Sequence, residues 1–213
     1  ESAGAIATVL TTELPDPFGY GRILRDSTGE LDSIVEERDA SEAVKEIPEI
    51  NSGVYLFEID ALNKALGKIG KSNSQGEEYL TDVIAILKAE GGKVATHQAE
   101  DFTEILGIND RAQLSDVSAM MRDRINDALM RSGVTIVDPA SVWIDVSVEI
   151  DADVHIEPGV AIKGVSKIQT GVKLGPRTTL IDCEVGAGAS VIESHCESSK
   201  IGARAKVGPY AHL

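Results

Sequence analysis

Few residues of this 213-residue chain have the types and spacing that covalent chemistry needs. The only cysteines are Cys183 and Cys196. They form no CxxC pair, and no Cys/His cluster stands at zinc spacing. Two reduced thiols in a reducing compartment are therefore expected. Gly70-Lys71-Ser72 has the ending of a phosphate-binding P-loop, but the position that should hold the leading glycine is Ala65, so that chemistry is rejected. Gly186-Ala187-Gly188 falls where a turn is expected, and His195 lies in a polar stretch where solvation is the simpler role. Whatever chemistry the chain takes part in must come from residues that become a site only when the fold assembles them.

The element most plainly written in the sequence is a repeat. From Ile150, every sixth residue is aliphatic: Ile156, Ile162, Ile168, Leu174 and Leu180. The register slips by one residue to Val185 and continues to Val191. After a ten-residue step it resumes at Ile201, Val207 and Leu213. Four residues after these positions stand small or β-branched residues: Val154, Val160, Ser166, Val172, Thr178, Ala189, Ala205 and Ala211. Three six-residue faces close a triangular coil, and stacking turns the aliphatic position into a continuous internal column. A sandwich strand alternates with period two and would not select every sixth residue. The reading is a left-handed parallel β-helix of hexapeptide repeats. The polar segment between Val191 and Ile201 is expected to bulge out as a loop.

Before the repeat the texture is α/β. Strand-like runs at 5–11, 31–36, 52–59 and 93–97 mix with helical runs at 60–66 and 77–90. Residues 110–132 read as one long helix. Asp110 and Gln113 make a capping box at its start, and Gly133 stops it. Leu114, Val117, Met121, Ile125 and Ala128 form its apolar stripe. Formal net charge is -15, which disfavours nucleic acid and anionic membranes as partners. No apolar run reaches membrane-spanning length, and a cytoplasmic setting is expected. Glu1 is not a start residue, and Leu213 sits on a repeat position with no polar cap after it. The chain is therefore expected to be an internal piece of a longer protein.

Several local sequences, in this order, carry a resemblance. They are Pro17-Phe18-Gly19-Tyr20-Gly21-Arg22-Ile23, Ile34-Val35-Glu36, Glu49-Ile50-Asn51-Ser52-Gly53, the run QGEEYLTDV from Gln75 to Val83, Gly107-Ile108-Asn109-Asp110-Arg111, and Ile201-Gly202 through Gly208-Pro209-Tyr210. Together they resemble the bacterial bifunctional N-acetylglucosamine-1-phosphate uridyltransferase / glucosamine-1-phosphate acetyltransferase family over essentially the whole chain. The resemblance implies the C-terminal, sugar-binding half of a Rossmann-like nucleotidyltransferase domain at 1–109, a linker helix at 110–133, and the first coils of the acetyltransferase β-helix at 134–213.

It further implies that Gly21, Glu36, Asn51 and Asn109 bind substrate, with Tyr79 and Thr81 as further contacts. Asn109 would be an oxygen ligand of the catalytic Mg2+. No catalytic residue is expected within these 213 residues, and neither His195 nor His212 matches the family's catalytic histidine. The parent enzyme would use acetyl-CoA and UTP, convert N-acetylglucosamine-1-phosphate to UDP-N-acetylglucosamine for cell-wall precursors, and assemble as a homotrimer through its β-helix. This piece alone is expected to perform neither reaction. The competing readings are another sugar-1-phosphate nucleotidyltransferase with a β-helix tail, and a trimerisation or scaffold module.

Overall fold

The computed structural model describes residues 4–71, 73–108 and 110–213; Ser72 and Asn109 lie outside the described residues. The chain divides into two compact units, Glu1–Gly107 and Ile108–Leu213.

The first unit is built on a five-stranded sheet. Its strands are β1 (Ala7–Glu13), β2 (Arg22–Arg25), β3 (Leu31–Val35), β4 (Glu49–Phe57) and β5 (Val94–Gln98), in the order β3-β2-β4-β1-β5. Only the β1–β5 pair is parallel. Helices α1 (Glu42–Lys45), α2 (Ile59–Leu66) and α3 (Asp82–Ala89) lie in the connections. Val83, Ile84 and Leu87 of α3 and Ala65 of α2 are buried with Ala7, Val9, Ile23, Leu31 and Val94 in one core. Helical spacing in α3 thus meets strand alternation in β1 on one face. Strand β2 and the short α1 were not expected from periodicity. The helix expected at 77–90 begins only at Asp82, because the preceding residues form a loop.

β4 is irregular where it passes β1. Val9 pairs with Tyr55 and Thr11 with Asn51, so Ser52, Gly53 and Val54 together oppose Leu10. Gly53 lies at φ +79° in this bulge, a conformation that costs a side chain dearly. The Ser52 hydroxyl donates to the Leu10 carbonyl at 2.7 Å and accepts from the Val54 N–H, replacing the lost ladder bonds.

In the second unit, α4 (Arg111–Arg131) is capped by Asp110, whose carboxylate accepts the Gln113 N–H at 2.8 Å. The structure corrects the expected stripe. Leu114, Met121 and Ala128 are exposed, and the docked face is Ile125, Asn126 and Leu129. Fully buried Asn126 donates to the Pro139 and Val142 carbonyls at 2.9 and 3.0 Å. The Arg122 guanidinium stacks over Trp143 at 5.1 Å.

From Thr135 onward the chain coils into a three-faced parallel β-helix. Its faces are sheets of four, four and five short strands. Ile156, Ile162, Ile168, Leu174, Leu180, Val185, Val191 and Ile201 fill the interior with Val154, Val160, Ser166, Val172, Thr178 and Ala189. The hexapeptide column thus folds as its period requires.

The expected bulge between Val191 and Ile201 does not occur. His195–Glu197 is a strand paired with Thr179–Ile181, and Cys196 points inward, fully buried. Two five-residue rungs, Val191 to Cys196 and Cys196 to Ile201, replace the single ten-residue step. Ser194 takes the small-residue position there, and Cys183 takes the one before Val185. The Cys183 thiol donates to the Cys196 carbonyl at 3.3 Å. Burial, reinforced by neighbouring Cys183, pushes the Cys196 thiol up, so Cys196 is not poised as a nucleophile.

Candidate sugar-phosphate site

The residues singled out in the first unit converge because three strand segments end beside one another. Gly21 immediately precedes β2, Glu36 follows β3, and Asn51 lies in β4 just before its bulge. Gly21 accepts the Asn51 N–H at 2.8 Å through its carbonyl. A Cβ on Gly21 would stand 3.3 Å from Ile34 Cγ2 and 3.4 Å from the Glu36 carboxylate. A side chain at Gly21 would therefore occupy the space in front of Glu36.

Glu36 is fixed in turn. It caps the single-turn 3-10 helix Glu37–Asp39, and its Oε1 accepts the Thr81 hydroxyl at 3.1 Å. The other carboxylate oxygen faces Gly21. Asn51 Oδ1 accepts the Gly53 N–H at 3.1 Å, so the bulge orients the amide and turns its N–H2 toward the Tyr55 hydroxyl. The side chains present acceptor and donor groups side by side, which suits recognition of a polar ligand by hydrogen bonds.

Sequence reasoning missed Tyr55. It faces both Asn51 and Glu36, and its ring stacks on Phe57 at 5.5 Å. Burial pushes the Tyr55 phenol up to about 12, with the Glu36 charge adding to the rise and the Asn51 amide opposing it. It therefore stays a neutral donor. Alternation from Asn51 through Gly53 to Tyr55 was the available signal, but the bulge that makes it count is not visible in composition.

Behind the site, the buried Arg22 guanidinium donates to the Tyr20 and Lys45 carbonyls and pairs with Glu37 at 2.8 Å. The Tyr20 hydroxyl accepts the Gly107 N–H at 2.8 Å. This contact ties Gly107 to the residue that precedes Gly21. Asn109 itself lies outside the described residues. Among the described residues no three of His, Cys, Asp and Glu are grouped to hold a metal ion. The cluster lies near the carboxyl ends of the parallel strands β1 and β5, where ligands of open α/β sheets commonly bind. A hollow of about 510 Å³ lined by Thr12, Glu13, Gln98, Ala99 and Glu100 opens at that end.

A sheet with one parallel pair, a loop-borne polar cluster at its carboxyl edge and a following β-helix define a class. The nucleotidyl transferase family matches residues 1–147, and the chain belongs to that family. Its curated relatives are bifunctional GlmU proteins. That of Kineococcus radiotolerans is 49% identical over 212 residues, covering 100% of this chain and 43% of the relative. That of Corynebacterium efficiens is 48% identical over 206 residues, 97% of this chain and 42% of the relative. That of Streptomyces avermitilis is 46% identical over 211 residues, 99% of this chain and 44% of the relative. The chain thus spans less than half the length of the curated relatives it matches. No helix among the described residues is long and apolar enough to cross a membrane.

Proposed function

We propose that residues 1–109 form the sugar-phosphate-binding half of a uridylyltransferase domain, and that 134–213 are the first coils of an acetyltransferase β-helix, joined by the helix within 110–133. The parent enzyme makes UDP-N-acetylglucosamine in the cytoplasm. It acetylates glucosamine-1-phosphate from acetyl-CoA, then transfers uridylyl from UTP to N-acetylglucosamine-1-phosphate. The observation that carries this reading is the grouping of Glu36, Asn51 and Thr81 in front of Gly21, which cannot carry a side chain without filling that space.

In the transfer, a phosphate oxygen of the sugar attacks the α-phosphorus of UTP and pyrophosphate leaves. The protein forms no covalent bond with substrate, and its work is alignment. Glu36 accepts hydrogen bonds from sugar hydroxyls while Thr81 holds its second oxygen. Asn51 holds the Tyr55 hydroxyl with its amide and donates its second N–H to the sugar, with Tyr55 beside it as a neutral donor. Magnesium, when bound, supplies counter-charge for the phosphates, and Asn109 is the residue of this chain assigned to hold it. Three copies associate side by side through the β-helix.

The test uses the full-length protein. Glu36→Ala and Asn109→Ala should each lower uridylyl transfer at least tenfold, about 1.4 kcal/mol, and leave acetyl transfer unchanged. UTP should be preferred over the other nucleoside triphosphates. If neither substitution costs tenfold, the site assignment is wrong.

A further inference from the structure

The loop that brings Tyr79 and Thr81 to the site is tied to the turn that presents Glu36. Glu36 opens the 3-10 helix Glu37–Asp39, so residues 38 and 39 project from the same turn. The Asp39 carboxylate accepts the Ser74 N–H at 3.0 Å and faces the Tyr79 hydroxyl. These contacts, Ser74 first, hold the Asp39 carboxyl below the ordinary carboxylate value, so it stays an ionised acceptor at neutral pH. Arg38 donates to Gln75 Oε1, and Gln75 Nε2 donates to the Tyr79 hydroxyl at 2.6 Å. Within the loop, Asn73 Oδ1 accepts the N–H groups of Gln75 and Glu77 at 3.2 and 3.1 Å. The loop ends at α3, where the Thr81 hydroxyl reaches Glu36.

Two ties, one at each end of the loop, therefore join it to a single turn of four residues. The tie at Thr81 engages Glu36 directly. The tie at Ser74 and Gln75 runs through Asp39 and Arg38, and it reaches the Tyr79 hydroxyl from both Asp39 and Gln75. Their hydrogen bonds are solvent-exposed, so they are weak contributors to the stability of the unit. Such bonds matter where they restrict a loop that must otherwise be ordered by the ligand.

We infer that Asp39 and Arg38 are positioning residues of the sugar-phosphate site: they clasp the 73–79 loop to the Glu36 turn and pre-order Tyr79 and Thr81 for the sugar. This rests on the proposed site reading. Without the clasp, the bound sugar has to supply the loop-ordering free energy itself, so affinity for the sugar phosphate falls while the aligned complex, once formed, reacts as before.

The experiment is steady-state kinetics of uridylyl transfer on the full-length protein. Asp39→Ala should raise KM for N-acetylglucosamine-1-phosphate at least fivefold, leaving kcat within twofold and KM for UTP and acetyl transfer unchanged. Asp39→Asn keeps an oxygen acceptor for Ser74 and should recover most of the loss. Limited proteolysis should cut the 73–79 loop of Asp39→Ala faster than that of the parent, and saturating UDP-N-acetylglucosamine should suppress the difference. An unchanged KM for the sugar phosphate in Asp39→Ala overturns the clasp, as does a matching rise in KM for UTP. Glu36→Ala separates the two failures. If it loses tenfold while Asp39→Ala is silent, only the clasp is wrong; if Glu36→Ala is also silent, the site reading fails with it.

Discussion

Arg22 buries a guanidinium almost completely, and its partners explain why that is tolerated. Two backbone carbonyls, from Tyr20 and Lys45, and the Glu37 carboxylate together satisfy its donors. Arg22 links the Gly21 segment to α1 and to the turn after Glu36, so it sets the floor of the site without facing the sugar. Removing one partner of a buried pair leaves the other charge uncompensated. Arg22→Met should therefore destabilise the protein by about 3 kcal/mol, read as a lower denaturant midpoint. A loss below about 1 kcal/mol would mean that Glu37 is reached by water and the pair is a surface one.

Gly21→Ala tests the neighbouring position differently. The added methyl group meets Ile34 and the Glu36 carboxylate at 3.3–3.4 Å, a contact that needs only a small local adjustment. Thermal stability of the full-length protein should change little while its affinity for N-acetylglucosamine-1-phosphate falls at least tenfold. Gly21, Glu36 and Asn51 were legible in the sequence through their local motifs. Arg22, Asp39 and Tyr55 were not. Their roles arise from strand pairing, from a bulge and from a loop returning after more than thirty residues, none of which leaves a local pattern.

At the scale of elements, the β-helix was legible because its signal is additive. One aliphatic residue per face, repeated over many rungs, is hard to mistake. Leu174 is fully buried in the middle of that column, and Leu174→Ala should cost about 3 kcal/mol, measured by chemical denaturation. The reading failed where the residue type changed. At rung Glu193–Glu197 the column residue is Cys196, and the spacing drops from six to five. A polar-looking run with a cysteine at its centre reads as a loop unless cysteine is counted as the small hydrophobe it is. Cys196→Ser distinguishes the two arrangements. Buried among aliphatics, a hydroxyl costs roughly 1–3 kcal/mol; in a solvated loop the change would be neutral. The stripe of α4 failed for a related reason. Periodicity locates a face but not how far along it the neighbour extends, and it cannot promote a polar Asn126 above an apolar Leu114. Two carbonyls waiting at Pro139 and Val142 make that choice.

For the whole molecule, the three faces of the β-helix differ in what they show to solvent. One alternates charges in paired rungs: Glu149 with Lys167 at 3.1 Å and Glu184 with Lys200 at 3.0 Å. Another carries His155, Lys173, Ser190 and Lys206 on successive rungs. The third presents Trp143, Ala161, Thr179 and His195 in one outward row, and Lys163, Ile181 and Glu197 in the row beside it. Side-by-side association must desolvate a face, and the face with an uncharged outward row loses least on desolvation. Ala161 and Thr179 in the middle of that row are short and admit close approach of a second coil. The third face is therefore the one expected to meet its symmetry mates in the proposed trimer. Thr179→Arg would bring three guanidinium groups, one per copy, into that contact, in a row of Trp143, Ala161, Thr179 and His195 that holds no acid. Light scattering of the full-length protein at micromolar concentration should show the parent as a trimer and Thr179→Arg shifted toward monomer. Lys167→Gln, on the charged face, should leave the trimer intact. The opposite result, with assembly lost in Lys167→Gln and kept in Thr179→Arg, would move the contact to the charged face and give its ion-pair ladder an intermolecular role.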